Sequence, residues 1–207
     1  MVQDTHSSSS VGISGARAGN AQKSPFHIQA IESPEDLTKF LPSLRTLLQL
    51  CVNQDPASSS IGFRAPLSDE AADEFWLATA TKLTETPRVL HCFVLTADPD
   101  AADVLATGTI VTIPKVTHRH RAEIVKLLVH PSARRKGVAT AMMRHLESFA
   151  KNSLGKEVLT LDTATTTPAR AFYNNIGWRE WGTCPEYADF ADGTRGDATF
   201  FVKVLRG

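Results

Sequence analysis

The sequence lacks a surplus of charge of either sign. Its 22 lysine and arginine residues balance 22 aspartate and glutamate residues. A chain without net charge has no global field that attracts nucleic acid or an anionic membrane, so electrostatic recognition must come from local clusters. A run of about 20 apolar residues, which a membrane-spanning helix needs, is also missing. We therefore expect neither nucleic acid nor a membrane as a partner.

Cysteine is scarce as well. The odd number of cysteines, 3, and the absence of C-x-x-C spacing indicate a reducing compartment. No apolar signal-peptide segment precedes the domain, so we expect a cytoplasmic protein. We expect no metal site, because His118 and His120 have no cysteine or carboxylate at ligand spacing. The segment 118–121 is interpreted as a solvated hairpin loop.

What is present is enough for one sizeable core. A chain of 207 residues with 42% hydrophobic residues is typical of a single globular domain. Residues 1–25 are rich in serine, glycine and alanine and are predicted to be a disordered tail, because they offer little apolar surface to bury. A transit peptide is the alternative, but Arg17 and Lys23 do not line an amphipathic helix. Residues 26–207 form the predicted domain.

The hydrophobic patterns in this domain predict an α/β (α+β) fold. Helices are expected after the capping residues Ser33 and Ser68, after Gly137, and over 168–175. Short apolar or alternating runs predict seven strands, of which the second to fourth form an antiparallel meander. These strands are 26–31, 89–96, 104–113, 123–129, 157–163, 178–183 and 199–205.

The stretch 123–140, EIVKLLVHPSARRKGVAT, combines a buried strand with a basic turn and a helix start. Arg134, Arg135 and Lys136 directly precede Gly137, where the helix opens. A helix N-terminus offers unpaired N–H groups and the positive pole of the helix dipole, and small residues let a ligand approach them. For these reasons we interpret the turn as a diphosphate site. Competing phosphate sites are not indicated, because neither G-x-x-x-x-G-K-[ST] nor G-x-G-x-x-G occurs. An ordinary strand-to-helix connection with solvated arginines is the alternative.

Two spaced motifs resemble the GNAT superfamily of acetyltransferases. They are Arg134-x-x-Gly137-x-Ala139, which follows the Leu-Leu-Val-His-Pro strand, and the later FYNNIGW at 172–178. The resemblance spans about residues 26–205 and implies a mixed sheet of about seven strands, splayed between the fourth and fifth, with about four helices. Within the superfamily, RAEIVKLLVHPSAR, LTLDT, AFY and the late PEYADFADG loop are similar to the tabtoxin-resistance acetyltransferases.

This resemblance implies acetyl-CoA as cosubstrate and direct transfer of its acetyl group to the primary amine of a small, amino-acid-like metabolite or toxin. The alternatives are a protein or peptide N-acetyltransferase and a non-catalytic acetyl-CoA-binding module, and a monomer or homodimer is expected. By resemblance, the backbone of 127–129 holds the acetyl carbonyl and pantetheine, while Thr166 replaces an asparagine that contacts pantetheine. The implied cosubstrate residues are Leu127, Leu128, Val129, Arg134, Arg135, Lys136, Gly137, Val138, Ala139, Thr140 and Thr166.

Acetyl transfer to an amine requires that the amine lose its proton. An amine with a pKa near ~10.4 is neutral in only about one molecule in two thousand at pH 7, so a base or a desolvating pocket matters. The resemblance implies Tyr173 as the acid near the coenzyme sulfur, Asp162 as the residue that binds the amine, and Glu123 as base or water relay. The structural alternatives are a packing tyrosine, and carboxylates that are solvated or paired with Lys126.

The acceptor pocket is the part that the sequence defines least. Phe63, Trp76 and Tyr187 are candidates for its wall. Large aromatic side chains at such positions also fit a hydrophobic core, and both interpretations stay open.

Overall fold

The computed structural model describes residues 1, 26–54 and 61–206, so the predicted disordered tail over residues 1–25 lies, apart from Met1, outside the described residues. The described part contains seven strands and four α-helices, and the predicted fold class is confirmed. In chain order they are β1 (His27–Ile31), α1 (Pro34–Asn53), α2 (Asp69–Leu83), β2 (Leu90–Thr96), β3 (Ala106–Thr112), β4 (Arg121–Val129), α3 (Val138–Asn152), β5 (Val158–Ala164), α4 (Pro168–Asn175), β6 (Arg179–Asp189) and β7 (Arg195–Val204).

The seven strands form one sheet in the order β1-β2-β3-β4-β5-β7-β6. All neighbouring strands are antiparallel except β4 and β5, which run parallel. These two strands pair only at Arg121 with Val158, Ala122 with Leu159 and Glu123 with Thr160. Both strands continue beyond this point without pairing to each other, to Val129 and Ala164. The predicted splay between the fourth and fifth strands is therefore present.

Two hydrophobic clusters hold the sheet between its helices. On one face, α1 and α2 bury Leu44 and Trp76 against strand residues such as Val94. On the other face, α3 and α4 bury Met142 and Tyr173 among residues of β3, β4, β5 and β7. Because apolar burial contributes about 25 cal/mol per Å², these layers fix the position of the strands on both sides of the splay.

The starts of α1 and α2 agree with their predicted caps. Ser33 and Asp36 form a reciprocal capping box at α1, and the Ser68 side chain accepts a hydrogen bond from the backbone of Ala71 at α2. Both helices carry acidic residues in the first turn, which favours the positive end of the helix dipole. Helix α1 continues through Pro42.

The predicted loops at 118–121 and 185–193 are shorter in the structure. A 3₁₀ turn covers Val116–His118, and β4 already begins at Arg121. Residues 185–189 belong to β6, whose register against β7 shifts twice. Glu186, which has φ 49°, lies within the second of these shifts, between Cys184 and Ala188. Bulges let an edge strand accept proline and residues with positive φ, which explains why loop-like chemistry continues a strand here.

Candidate active site

A cavity of about 640 Å³ opens beside the splay of β4 and β5. The two strands, the turn before α3, the first turn of α3 and helix α4 line it. Most of the residues that the sequence selects for the cosubstrate and the chemistry lie on this one cavity. They are Leu127, Leu128, Val129, Arg134, Arg135, Gly137, Val138, Ala139, Thr140, Asp162 and Tyr173.

Three of the selected residues do not line the cavity. Lys136 is exposed on the turn, and Glu123 lies half-buried in β4, within electrostatic range of Asp162. Thr166 lies in a separate hollow lined also by Asp192 and Arg195. The expected contact between Thr166 and pantetheine therefore has no support in this placement. The neighbouring residues Thr163 and Thr167 line the main cavity in its place.

The N-terminus of α3 differs from those of α1 and α2. Its N-cap is Gly137 at φ 81°, a left-handed conformation that favours glycine, and no side chain caps the helix. The first turn contains no acidic residue. The first N–H groups of an α-helix have no partner within the helix, so the positive end of α3 faces the cavity without a counter-charge of its own. With Arg134 and Arg135 exposed beside it, this end is suited to a multiply charged anion.

A β-bulge at Lys126 shapes the wall that β4 contributes. Thr107 pairs with Leu128 but Thr109 pairs with Val125, so β4 has one residue more than β3 in this interval. Lys126 has φ 54°, and its carbonyl accepts a hydrogen bond from the Thr107 hydroxyl at 3.0 Å. A bulge increases the local twist and re-aims the side chain of the extra residue. It therefore shapes β4 on the side that faces the cavity.

The Val129 carbonyl at the end of β4 already has two donors. The Cys51 thiol donates to it at 3.6 Å, and Nε of Arg134 donates at 3.4 Å. Burial raises the pKa of Cys51, which keeps the thiol protonated as a donor. These contacts tie α1 and the basic turn to the strand edge beside the splay.

Tyr173 is 6% exposed and lines the cavity from α4. Its ring packs against Phe172, Trp178 and Phe201 with centroid distances of 5.3, 6.3 and 5.4 Å. Burial, followed by the negative charge of Asp162, raises the pKa of its hydroxyl well above the usual range. The phenol therefore stays protonated at neutral pH and is available as a hydrogen-bond donor.

Asp162 and Glu123 form an acidic pair near the mouth of the splay. Burial raises the pKa of Asp162, while the positive charge of Lys126 lowers it in part. Burial and then the charge of Asp162 raise the pKa of Glu123, and Arg121 opposes this shift. A carboxylate with a raised pKa is a stronger base than one in water, so the pair is suited to binding or deprotonating an amine.

Lys126 does not pair directly with either carboxylate. Its Nζ donates to the Ile61 carbonyl at 2.8 Å and lies 4.8 Å from the centroid of the Phe63 ring. Among the described residues, no carboxylate oxygen lies within 4.0 Å of this ammonium, although it interacts electrostatically with Asp162. The predicted alternative of a carboxylate paired with Lys126 is not observed.

The three aromatic candidates for the acceptor wall lie in different places in the structure. Trp76 is buried in the core under α1 and α2, and Phe63 packs against the same cluster. Tyr187, 45% exposed on β6, lines the cavity and packs edge-on against Phe200 at 5.1 Å. Phe200 is in register with Asp162 across β5 and β7. Tyr187 is therefore the member of this set that reaches the cavity.

Two further residues that line the cavity are Lys126, which the sequence indicated only as a possible ion-pair partner of the carboxylates, and Cys51, for which it predicted no role in the site. A lone charged residue between Val125 and Leu127 in an otherwise apolar strand was the available signal for Lys126. Cys51 offered none, because a buried thiol in a helical stripe is typical of a core.

Two further findings concern the described part of the chain. It holds no group of three or more His, Cys, Asp or Glu residues placed to bind a metal ion. It also contains no helix that is both long and apolar enough to cross a membrane.

The sheet is splayed at its parallel pair of strands. The cavity beside the splay has the uncapped N-terminus of α3 at one part and the protonated phenol of Tyr173 at another. The model of the Acetyltransferase (GNAT) family matches residues 54–178, more than half of the chain. The protein thus belongs to the GNAT family of N-acetyltransferases, whose cosubstrate is acetyl-CoA.

Solved structures support the fold. The ribosomal-protein-S5-alanine acetyltransferase from Vibrio fischeri matches with a TM-score of 0.70 at 11% identity, over 89% of this chain and 95% of that chain. The ribosomal-protein-S18-alanine N-acetyltransferase from Escherichia coli matches with 0.61 at 20% identity, over 88% and 95%. A mutant spermidine N-acetyltransferase from Vibrio cholerae matches with 0.63 at 15% identity, over 87% and 94%. Their names cover protein and polyamine acceptors, so the shared fold does not define the acceptor.

Proposed function

We propose that this protein transfers the acetyl group of acetyl-CoA to the primary amine of a small, amino-acid-like molecule. The observation that carries the proposal is a single cavity that holds the uncapped end of α3, the Tyr173 phenol and the Asp162 carboxylate. The similarity of the 185–193 segment and the β4 motif to tabtoxin-resistance acetyltransferases adds support for a toxin or metabolite of this kind.

The residues present fit acetyl-CoA. In this proposal, the free amides at the start of α3 bind the diphosphate together with Arg134 and Arg135, because both supply positive potential to one exposed site. The backbone of Leu127 and Leu128 lies along the opened edge of β4 and takes the pantetheine arm. The thioester then lies between β4 and α4, within reach of Tyr173.

The chemistry is a direct attack. Asp162 binds the incoming ammonium, and Glu123 accepts its proton, directly or through a water molecule. The amine nitrogen forms a C–N bond to the acetyl carbonyl carbon as the C–S bond breaks, and the electron pair leaves with sulfur. Tyr173 donates a hydrogen bond to the departing thiolate. The nitrogen loses its second proton as the amide forms, and this proton passes to the sulfur through the Tyr173 hydroxyl or a water molecule, which leaves a neutral amide and a free thiol. Full proton transfer from a phenol near ~10 to a thiolate near ~8.5 is uphill by about 2 kcal/mol, and burial of the phenol increases this cost.

A protein or peptide N-acetyltransferase is the second candidate. Two of the similar structures are ribosomal-protein acetyltransferases by name, and this observation favours a protein or peptide acceptor as the alternative. A peptide acceptor would have to extend out of the cavity past β6, where Tyr187 and Trp181 are exposed.

A thiol-release assay with acetyl-CoA against panels of small amines and peptides tests the proposal. We expect release with small amines that carry an amino-acid-like group, and mass spectrometry should show one added acetyl group on the amine. Release with peptides alone would replace the proposal with the second candidate, and release with neither would refute both.

A further inference from the structure

Lys126 is a charged residue in the otherwise apolar central part of β4, where the fold of the strand does not require a cation. The residues on either side of it, Val125 and Leu127, are apolar, and Ile124 is 3% exposed. The left-handed φ of 54° at Lys126 is unfavourable for a non-glycine residue, and the hydrogen bond from the Thr107 hydroxyl to its carbonyl holds it there. The bulge places the ammonium at the cavity, on the side of Ile61 and Phe63.

Among the described residues, the ammonium of Lys126 has fewer acceptors in reach than it has donors. It carries three N–H donors, and in the described part of the chain one acceptor, the Ile61 carbonyl, is in reach. The Phe63 ring on one side offers only its π-face. A largely buried cation with spare donors at a cavity is a binding site for an anionic oxygen, since an unpaired buried charge is costly.

Lys126 and Asp162 give the cavity a positive and a negative group. Both line it, they interact electrostatically, and no direct ion pair joins them. A ligand with an ammonium and a carboxylate close together would satisfy both groups at once. An α-amino acid is such a ligand, because the reacting nitrogen and the carboxylate are attached to the same carbon.

We infer that the acceptor is an α-amino acid and that Lys126 is the residue that binds its carboxylate. The inference rests on the proposed function and narrows its acceptor. Asp162 takes the α-ammonium, Lys126 takes the carboxylate, and the side chain of the acceptor points along the apolar wall that Ile61 and Tyr187 provide. Amines that lack the carboxylate would offer Lys126 no anionic oxygen and should be poor acceptors.

The test compares matched acceptors in the wild-type protein. Acetyl-CoA is supplied at saturation, and kcat/KM is measured for the common L-amino acids against their decarboxylated counterparts, such as L-phenylalanine against phenethylamine and L-tryptophan against tryptamine. We expect the best amino acid to exceed its counterpart by about tenfold or more, the usual discrimination for one charged hydrogen bond. Equal or better use of the counterparts, or acetylation of no amino acid, overturns the inference.

Variants of Lys126 separate recognition from structure. Lys126→Met should lower kcat/KM for amino acids by about tenfold or more and leave the decarboxylated amines little changed, whereas Lys126→Arg should restore part of the preference. Lys82→Met, an exposed lysine in the last turn of α2, is the control for loss of a positive charge. Equal losses for both acceptor types in Lys126→Met would show that Lys126 only ties the Ile61 segment to the sheet, and would overturn the inference.

Failure of this inference is distinguishable from failure of the proposed function. If decarboxylated amines are acetylated as well as amino acids, the transferase proposal stands and the role of Lys126 falls. If the protein neither binds acetyl-CoA by calorimetry nor acetylates any amine of the panel, both fall.

Discussion

Burial at the α4 end of the cavity keeps the Tyr173 hydroxyl in its donor form. Asp162 adds a negative charge nearby and raises the same pKa further. A phenol in this state is a poor source of free protons but a reliable hydrogen-bond donor to a developing thiolate. In the proposed reaction, the rate depends on the position of the Tyr173 hydroxyl as a donor rather than on its acidity.

Replacement of Tyr173 by phenylalanine tests this role. The ring contacts with Phe201 and Trp178 are kept, so we expect the free energy of unfolding to change little. The value of kcat should fall about a hundredfold, the low end for general acid–base groups, because a thiolate also leaves unaided. Affinity for acetyl-CoA should be unchanged by calorimetry. Unchanged kcat would remove Tyr173 from the mechanism.

The carboxylate pair predicts a pH dependence with a definite sign. Burial raises the pKa values of both Asp162 and Glu123, so protonation abolishes their function at a higher pH than for a solvated carboxyl group. As the pH falls through these raised values, kcat/KM for the amine should fall. Asp162→Asn removes a negative charge that raises the pKa of Glu123, so the acid limb of the residual activity should move to lower pH.

Measurement of kcat/KM against pH for both proteins with the same amine checks this prediction, since titration of the amine itself is then common to both. An acid limb that stays in place or moves to higher pH in Asp162→Asn would show that Glu123 is not the base.

At this scale, the sequence predicted the residue types better than their orientation. Tyr173 and Asp162 were available from motif positions, and both line the cavity. Lys126 was visible only as a charge in an apolar run, because its direction depends on a left-handed backbone angle that no local sequence pattern required. Thr166 was selected by position in a motif, and the structure puts its neighbours Thr163 and Thr167 on the cavity.

At the scale of elements, the start of α3 is the proposed binding site of the cosubstrate. The other two long helices satisfy their N-termini with Ser33 and Ser68 and with acidic first turns, whereas α3 leaves its own end open. Because a side-chain cap contributes about 1 kcal/mol to a helix, the uncapped end of the long helix α3 supports the proposal that a ligand binds there.

Ala139→Glu places a carboxylate in the first turn of α3. It should stabilise the protein slightly, by about 0.3–1 kcal/mol, through the helix dipole. It should also lower the affinity for acetyl-CoA by about tenfold or more, because the new charge competes with the diphosphate for the same amides. Chemical denaturation and calorimetry measure the two effects.

Ala139→Gln is the matched control for size without charge. It should reduce affinity less than Ala139→Glu does. Equal affinity for acetyl-CoA in the wild type and Ala139→Glu would place the diphosphate away from this helix end.

The elements themselves were predicted with uneven success. Helix α4 covers the predicted residues, because Pro168 and Gly177 mark its ends. Strand β6 is longer than predicted, since Pro185 and the acidic and glycine residues that follow have the composition of a loop. Pairing with β7 across two bulges overrides that composition, and such long-range pairing is not encoded in local sequence.

For the whole molecule, the balance of charge makes the salt dependence of the affinity for acetyl-CoA informative about where the ligand binds. Because the chain carries 22 charges of each sign, its overall charge does not attract acetyl-CoA, and the proposal assigns the attraction to the turn before α3. Screening shortens from about 8 Å at 0.15 M salt to about 3 Å at 1 M, so the affinity should fall as salt is added.

Arg135→Gln should weaken the decrease of acetyl-CoA affinity with added salt. Arg144 is an exposed residue on α3, and Arg144→Gln should leave this decrease unchanged. Calorimetric titrations at several salt concentrations provide the measurement. An affinity that does not depend on salt in the wild type would contradict electrostatic binding at this turn.

The cavity has a proposed cosubstrate side and a proposed acceptor side, and the sequence predicted the first better than the second. Its proposed cosubstrate side comes from one continuous stretch, residues 127–140, so strand, turn and helix could be assigned from neighbouring residues. Its acceptor side joins Lys126, Asp162 and Tyr187 from three different strands with Ile61 from the segment before α2. Such a surface depends on strand register, which a single sequence does not give, and on the splay, which was predicted only through the resemblance to the GNAT superfamily.

The crystal structure of the protein with coenzyme A tests the central claim most directly. The account predicts that the diphosphate lies on the amides at the start of α3, that pantetheine follows the opened edge of β4, and that the sulfur lies within hydrogen-bond distance of the Tyr173 hydroxyl. Coenzyme A bound elsewhere, or with its sulfur remote from Tyr173 and Asp162, would contradict it.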